Sequence, residues 1–249
     1  MSDNLINLTK QVKITLEKRK APTIITQVGV AFDISGSTQG FYTGVSRTGD
    51  DSYIQNLVDR MFAIACTFDD NEALNTWVFD STNSQTDDIV KKNYEHYVEK
   101  NILKNSHIHK WGSTNFHDVM TAINKYYNFP DDDTPKVSKL KSFFGFGKKK
   151  PETAAPAYTD PAYILFITDG APDSEEAAEA AIAKTSNDRI YWQFAGIDNG
   201  NAYHFLKRLA AKYPNVSYEL ISPTKTSDAE LYDKLISPKF VDWYTALPK

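Results

Sequence analysis

The sequence predicts a three-layer α/β fold, a mostly parallel central sheet flanked by helices on both faces. Two observations carry this. A short run that is apolar throughout, Val28 to Phe32, ends at Asp33, and similar, largely apolar runs recur: Leu74 to Phe79 before Asp80, Tyr163 to Ile167 near Asp169, and Tyr191 to Ile197 before Asp198. Continuous apolar strands of this kind belong to parallel sheets covered on both sides. Between them lie segments with apolar residues at three- and four-residue spacing, so strands and helices alternate and the crossovers are right-handed.

Taken in order, Lys10 to Glu17 alternates, with Val12, Ile14 and Leu16 on one side and Lys13, Thr15 and Glu17 on the other. That period of two predicts a half-buried strand within an N-terminal extension over residues 1–22. Residues 23–249 are then a single domain. After the Val28 strand, Ile54, Leu57, Val58, Met61, Phe62, Ala65 and Phe68 predict a helix, and Phe116, Val119, Met120, Ile123 and Tyr127 another. Helices follow over Ala177 to Ala183 and Tyr203 to Ala210, and a weaker strand over Val216 to Ile221. No repeat of about 20–50 residues is visible.

The stretch from Phe129 to Pro161 breaks this rhythm. It carries prolines beside Asp131, Asp132 and Asp133, then Lys136, Lys139, Lys141, Lys148, Lys149 and Lys150 around Phe143, Phe144 and Phe146. Its length exceeds the usual connection of roughly 2–6 residues, so an insertion is expected at about residues 129–161. Lysines around phenylalanines suit peripheral contact with an anionic membrane surface or an acidic partner through Lys136 to Lys150. They suit equally a loop whose phenylalanines tuck against the domain.

Composition narrows the function classes. The chain has 249 residues, 28 Lys plus Arg against 32 Asp plus Glu, and a formal net charge of -4. That balance argues against a general nucleic-acid binder. Cys66 is the single cysteine, so no intrachain disulfide or cysteine-rich zinc site is available. Its place on the apolar side of a helix predicts an inert thiol. No leader-like or membrane-length apolar run is apparent, and a cytoplasmic setting is the expectation.

The chemistry gathers where strands end. In a parallel sheet, ligands bind outside the carboxyl ends of the strands. Asp33-Ile34-Ser35-Gly36-Ser37 closes the first apolar strand, Gly112-Ser113-Thr114-Asn115 opens a helix, and Thr168-Asp169-Gly170 closes a later strand. Asp33 and Asp169 supply carboxylates; Ser35, Ser37 and Thr114 supply hydroxyls. Hard oxygen donors of this mixture suit Mg²⁺, with Mn²⁺ or Ca²⁺ as alternatives. A bare capping loop is the plain alternative for Asp33, Ser35 and Ser37 taken alone.

In order and spacing these residues resemble the metal-ion-dependent adhesion site of von Willebrand factor A-type (vWA) domains, D-x-S-x-S, then threonine, then aspartate. Asp33, Ser35, Ser37, Thr114 and Asp169 match that pattern one for one. More narrowly, the chain is similar to the TerF-like vWA domains of bacterial tellurium-resistance systems, and Leu8 to Leu16 resembles the opening strand of Ter proteins. The resemblance implies a Rossmann-like vWA fold that binds rather than turns over. The hydroxyls would contact the ion, the aspartates would act directly or through water, and a partner protein's Asp or Glu would complete the shell.

Other sites fare worse. Asp173 and Asp198 read as turn or capping residues. His96, His107, His109 and His117 offer no convincing fourth zinc ligand and read as solvated or hydrogen-bonded. No G-x-S-x-G elbow or phosphate loop is present. The runner-up is a Mg²⁺-dependent phosphohydrolase with Asp33 as nucleophile, although that chemistry normally wants a second aspartate where Ser35 stands.

Overall fold

The computed structural model describes residues 2–44, 52–127, 160–185, 189–222 and 224–248. The insertion expected at 129–161 and the Lys136–Lys150 contact surface fall almost wholly outside the described residues.

The chain begins with a helix, α1 (Asp3–Lys18), where a strand was expected. The period of two over Val12, Ile14 and Leu16 is a fragment of a longer helical pattern: Leu5, Leu8, Val12 and Thr15 form the buried stripe. Ile14, which a strand would bury with Val12, is 52% exposed. Ser2 caps the first turn by accepting from the Leu5 N–H, while Asp3 and Lys18 sit at the ends that the helix dipole favours.

Among the described residues, six strands form one sheet: β1 (Gln27–Asp33), β2 (Leu74–Phe79), β3 (Asn83–Gln85), β4 (Ala162–Thr168), β5 (Ile190–Ile197) and β6 (Val216–Ile221). Their order is β3-β2-β1-β4-β5-β6, and all pairings are parallel except that of β3 with β2. The helices are α2 (Gln39–Thr43), α3 (Tyr53–Phe68), α4 (Phe116–Tyr126), α5 (Glu175–Ala183), α6 (His204–Lys212), α7 (Asp228–Leu235) and α8 (Pro238–Ala246).

Alternation along the strands builds the layers. Val28, Val30 and Phe32 of β1 point into a core made with α1, α3, α7 and α8. Ala31 points the other way, into a core made with α4, α5 and α6. That second face is crowded by Trp77, Phe166, Trp192 and Phe194, so β1 is small there. A Cβ on Gly29 would lie 2.8 Å from the Tyr127 hydroxyl and 3.2 Å from the Trp77 ring.

The carboxyl ends of β1 and β4 matter most. From β1 the chain crosses to β2 on one side and later returns to β4 on the other, so a crevice opens between these two strand ends.

Candidate metal centre

β1 delivers Asp33 to that crevice, buried to 2% exposure. Its Oδ1 accepts from the Ser35 N–H at 2.9 Å, and its Oδ2 accepts from the Thr168 hydroxyl on β4 at 2.6 Å. Its carbonyl accepts from the buried Tyr42 hydroxyl at 2.9 Å. Thr38 folds the following segment into one tight turn over Gly36–Thr38 by donating its hydroxyl to the Ser35 carbonyl at 2.8 Å. That turn brings Ser37 round: its Oγ lies 3.3 Å from Ser35 Oγ and donates to Asp169 Oδ1 at 2.8 Å. The Asp169 carbonyl is held in turn by the side-chain amides of Asn199 at 2.5 Å and Asn201 at 2.7 Å.

Thr114 arrives by its backbone. The Trp111 N–H donates to the Ile34 carbonyl at 2.9 Å, and the Gly36 N–H donates to the Gly112 carbonyl at 3.0 Å, so the loop before α4 runs beside the D-x-S-x-S loop. Among the described residues, the Thr114 hydroxyl makes no hydrogen bond to the other four. Hydrogen bonds therefore link Asp33, Ser35, Ser37 and Asp169, and loop pairing sets Gly112, two residues before Thr114, beside Gly36.

Two carboxylates that sequence reasoning left aside position that loop. Asp80, at the end of β2, accepts from the Gly112 N–H at 2.9 Å, the Thr82 N–H at 2.9 Å and His109 Nδ1 at 2.6 Å. Burial pushes the Asp80 carboxyl up, but these hydrogen bonds outweigh it and hold the group below its usual range. Asp173 is not a cap of its own turn. Its Oδ1 accepts from the Thr114 N–H at 3.1 Å, its Oδ2 accepts from the Ser113 hydroxyl at 2.6 Å, and its N–H donates to the Thr114 carbonyl at 2.8 Å. The signal available for Asp80 was its place at a parallel strand's carboxyl end, the same signal that marked Asp33.

Backbone strain brackets the crevice. Trp111 and Tyr203 hold left-handed conformations, φ 71 and φ 50, which cost non-glycine residues energy. Trp111 is steadied by edge contact with Tyr42, ring centroids 5.7 Å apart. Tyr203 is steadied by donating its hydroxyl to the Ile197 carbonyl.

The residues present fit a hard divalent cation. Burial drives the Asp33 carboxyl up from 3.8 to about 6, against its hydrogen bonds from Ser35 and Thr168. Burial likewise raises Asp169. Buried carboxylates whose charge is this poorly solvated are relieved by a nearby cation. No three His, Cys, Asp or Glu side chains converge among the described residues, so the candidate donor set is two carboxylates plus hydroxyls. His109 and His117 bond to Asp80 and Asp118 instead. The Cys66 thiol is pushed up to about 11 by burial, as an inert thiol should be.

A mostly parallel three-layer domain with oxygen donors at the β1/β4 crevice is the architecture of vWA-type proteins. The profile of the vWA domain found in the TerF C terminus matches residues 25–155 and 150–249, and the chain belongs to this TerF-like vWA family. It is 31% identical over 239 residues to the uncharacterized protein YcbR of Bacillus subtilis, covering 94% of this chain and 84% of that relative. Among solved structures, the manganese-loaded TRAP protein of Plasmodium vivax superposes with a TM-score of 0.54 at 15% identity, over 88% of this chain and 74% of that one. Proximal thread matrix protein 1 from the mussel byssus gives 0.51 at 13% identity, over 86% of this chain and 48% of that one. At these identities the two structures speak to the fold alone.

Proposed function

We propose that the chain is a divalent-cation-dependent protein-interaction module, in which Asp33, Ser35, Ser37, Thr114 and Asp169 hold Mg²⁺ or Mn²⁺ and a partner's Asp or Glu completes the coordination. The observation that supports it is the hydrogen bond from Ser37 to Asp169, which draws the β1 and β4 loops into one oxygen-lined crevice. A divalent cation held by few direct carboxylates keeps net positive charge and so attracts an incoming acidic side chain. Asp33 orients the Ser35 loop, Asp80 and Asp173 orient Thr114, and Asn199 with Asn201 fix the Asp169 backbone. The family match at the TerF C terminus supports a role in a bacterial tellurium-resistance or stress-response system. A cytoplasmic setting accords with the finding that no described helix is long and apolar enough to cross a membrane.

A phosphohydrolase using Asp33 as nucleophile is disfavoured by geometry. Both Asp33 oxygens already accept hydrogen bonds and the residue is 2% exposed, so attack on a phosphoryl group is obstructed.

Calorimetric titration with Mn²⁺ and Mg²⁺ tests the reading. Wild type should bind, and Asp33→Ala, Ser37→Ala and Thr114→Ala should each bind far more weakly while remaining folded in chelator. Unchanged binding heats in Ser37→Ala and Thr114→Ala would overturn it. Hydrolysis of an aryl phosphate, lost in Asp33→Ala, would restore the enzyme.

A further inference from the structure

A cleft of about 250 Å³ opens beside Asp169, between the β4–α5 loop and the start of α6. Gly170 and Ala171, the two residues after Asp169, form its near wall; Ala202, Phe205 and Leu206 line the far side. The two walls are tied together through the metal loop itself, because Asn201 in the far wall donates to the Asp169 carbonyl at 2.7 Å. The near wall is bare: a Cβ on Gly170 would meet nothing within 4 Å. Glu175, Asn201, Tyr203 and His204 bring the polar side chains around it, with the Asn201 amide turned to the Asp169 carbonyl and the Tyr203 hydroxyl to the Ile197 carbonyl.

We propose that this cleft receives an apolar side chain from the same extended partner segment that presents the carboxylate to the metal, two residues away from it. The inference rests on the interaction reading above and names the partner's chemistry: an acidic residue and a Val-, Leu- or Phe-sized residue at i and i±2. Alternate side chains of an extended peptide share a face at a spacing of roughly 6.6–6.8 Å. The cleft's near wall begins one residue after Asp169, so we assign that single step to the path from the metal, over Gly170, to the cleft. The volume admits one such side chain, and its walls are mostly small or apolar. Burying a side chain of this size strengthens binding roughly ten- to hundredfold.

The test is selection of random displayed heptapeptides on the whole chain in MnCl₂, with elution by chelator. Eluted peptides should carry an Asp or Glu with an apolar residue two positions away. Ala202→Trp, at an exposed position, fills the cleft; Ala171→Leu does so from the opposite wall. Both variants should bind Mn²⁺ as wild type does by calorimetry, yet bind a selected peptide ten- to hundredfold more weakly. Peptides selected on them should keep the acidic residue and lose the apolar one. If wild-type selections show an acidic residue with random neighbours, or both variants bind the selected peptide undiminished, the cleft proposal is wrong while the interaction reading stands. If no chelator-eluted acidic peptide emerges at all, the interaction reading fails and the cleft proposal falls with it.

Discussion

Ser37 donates a hydrogen bond of 2.8 Å to Asp169, a residue 132 positions further along the chain. A contact of that sequence separation exists only because β1 and β4 are neighbours in the sheet, with registers that end Asp33 and Thr168 at the same level. The sheet order therefore assembles the crevice, and the local loops only aim the side chains. Donors placed this way differ in what holds them. Ser35 and Ser37 are fixed by their own tight turn, whereas Thr114 depends on carboxylates from two other loops.

That dependence makes Asp173 a positioning residue with a measurable signature. Asp173→Ala removes both acceptors from Ser113 and the Thr114 N–H, freeing the loop before α4. Mn²⁺ affinity should fall about 10–100-fold, the range for residues that orient metal ligands. Stability without metal should drop by less than about 1 kcal/mol, since these bonds are exposed. Asp173→Asn keeps one acceptor and should recover part of the affinity. Calorimetry beside urea denaturation in chelator separates the two effects; equal losses in both would mean a purely structural role.

Asp69 should make stability depend on pH. Its carboxyl is pushed from 3.8 to about 6, foremost by burial and also by Asp70 and Asp160, against hydrogen bonds from Asn71 and Val28. The folded state therefore binds the proton more tightly than the unfolded state. Its ionisation penalty is absent below about pH 3.8, grows as pH rises, and is complete above about 6, reaching roughly 3 kcal/mol at most. Asp69→Asn removes that penalty but gives up one acceptor, a pH-independent cost of about 1 kcal/mol. Relative to wild type, the variant should be less stable near pH 4 and more stable near pH 7. A stability difference that stays flat across this range would contradict the assignment.

Lys239 anchors the free edge of the sheet. Its ammonium donates to the carbonyls of Ala210 at 2.5 Å, Tyr213 at 2.8 Å and Val216 at 2.7 Å, joining α8 to the end of α6 and to β6. Lys234 does the same for the Leu220 carbonyl at 2.9 Å, so lysines occupy two outward carbonyls of an edge strand that could otherwise pair with another chain. Lys239→Met leaves three carbonyls without this donor and should cost roughly 1.5–3 kcal/mol in urea denaturation. A loss under about 0.5 kcal/mol would show that water replaces the ammonium freely.

Much of this molecule was legible in the sequence because burial on both faces writes an apolar run, as in β4, where the expected Tyr163 to Ile167 gains only Ala162 and Thr168; the partly exposed β6 still falls on Val216–Ile221, and the helix of Ile54 to Phe68 gains only Tyr53. The candidate-site residues could be named for a related reason, since the carboxyl ends of such runs are where polar side chains collect. Asp80 shared that strand-end signal but was left aside, and Asp173 left no spacing to read, because its work is to bond the Ser113 hydroxyl and Thr114 N–H of another loop. α7 and α8 were missed although Ser227, and Ser237 followed by Pro238, mark helix starts. β3 was missed because its three polar, partly exposed residues carry no apolar pattern.

The N-terminal segment shows how a true pattern misleads when the window is short, and a pair of substitutions distinguishes the two readings. Over Lys10 to Glu17, period two and period 3.6 both place Val12 inside; they disagree about Ile14. In the helix Val12 is fully buried against the core shared by α3 and α7, while Ile14 is 52% exposed. Val12→Ala should therefore cost about 1–3 kcal/mol through lost burial and the cavity left behind. Ile14→Ala should change stability by no more than about 0.5 kcal/mol, with alanine's better helix propensity offsetting the little burial lost. A strand with Val12 and Ile14 on one buried face would lose similar amounts at both positions. Denaturation of the two single variants decides the matter, and comparable losses would return the segment to a strand.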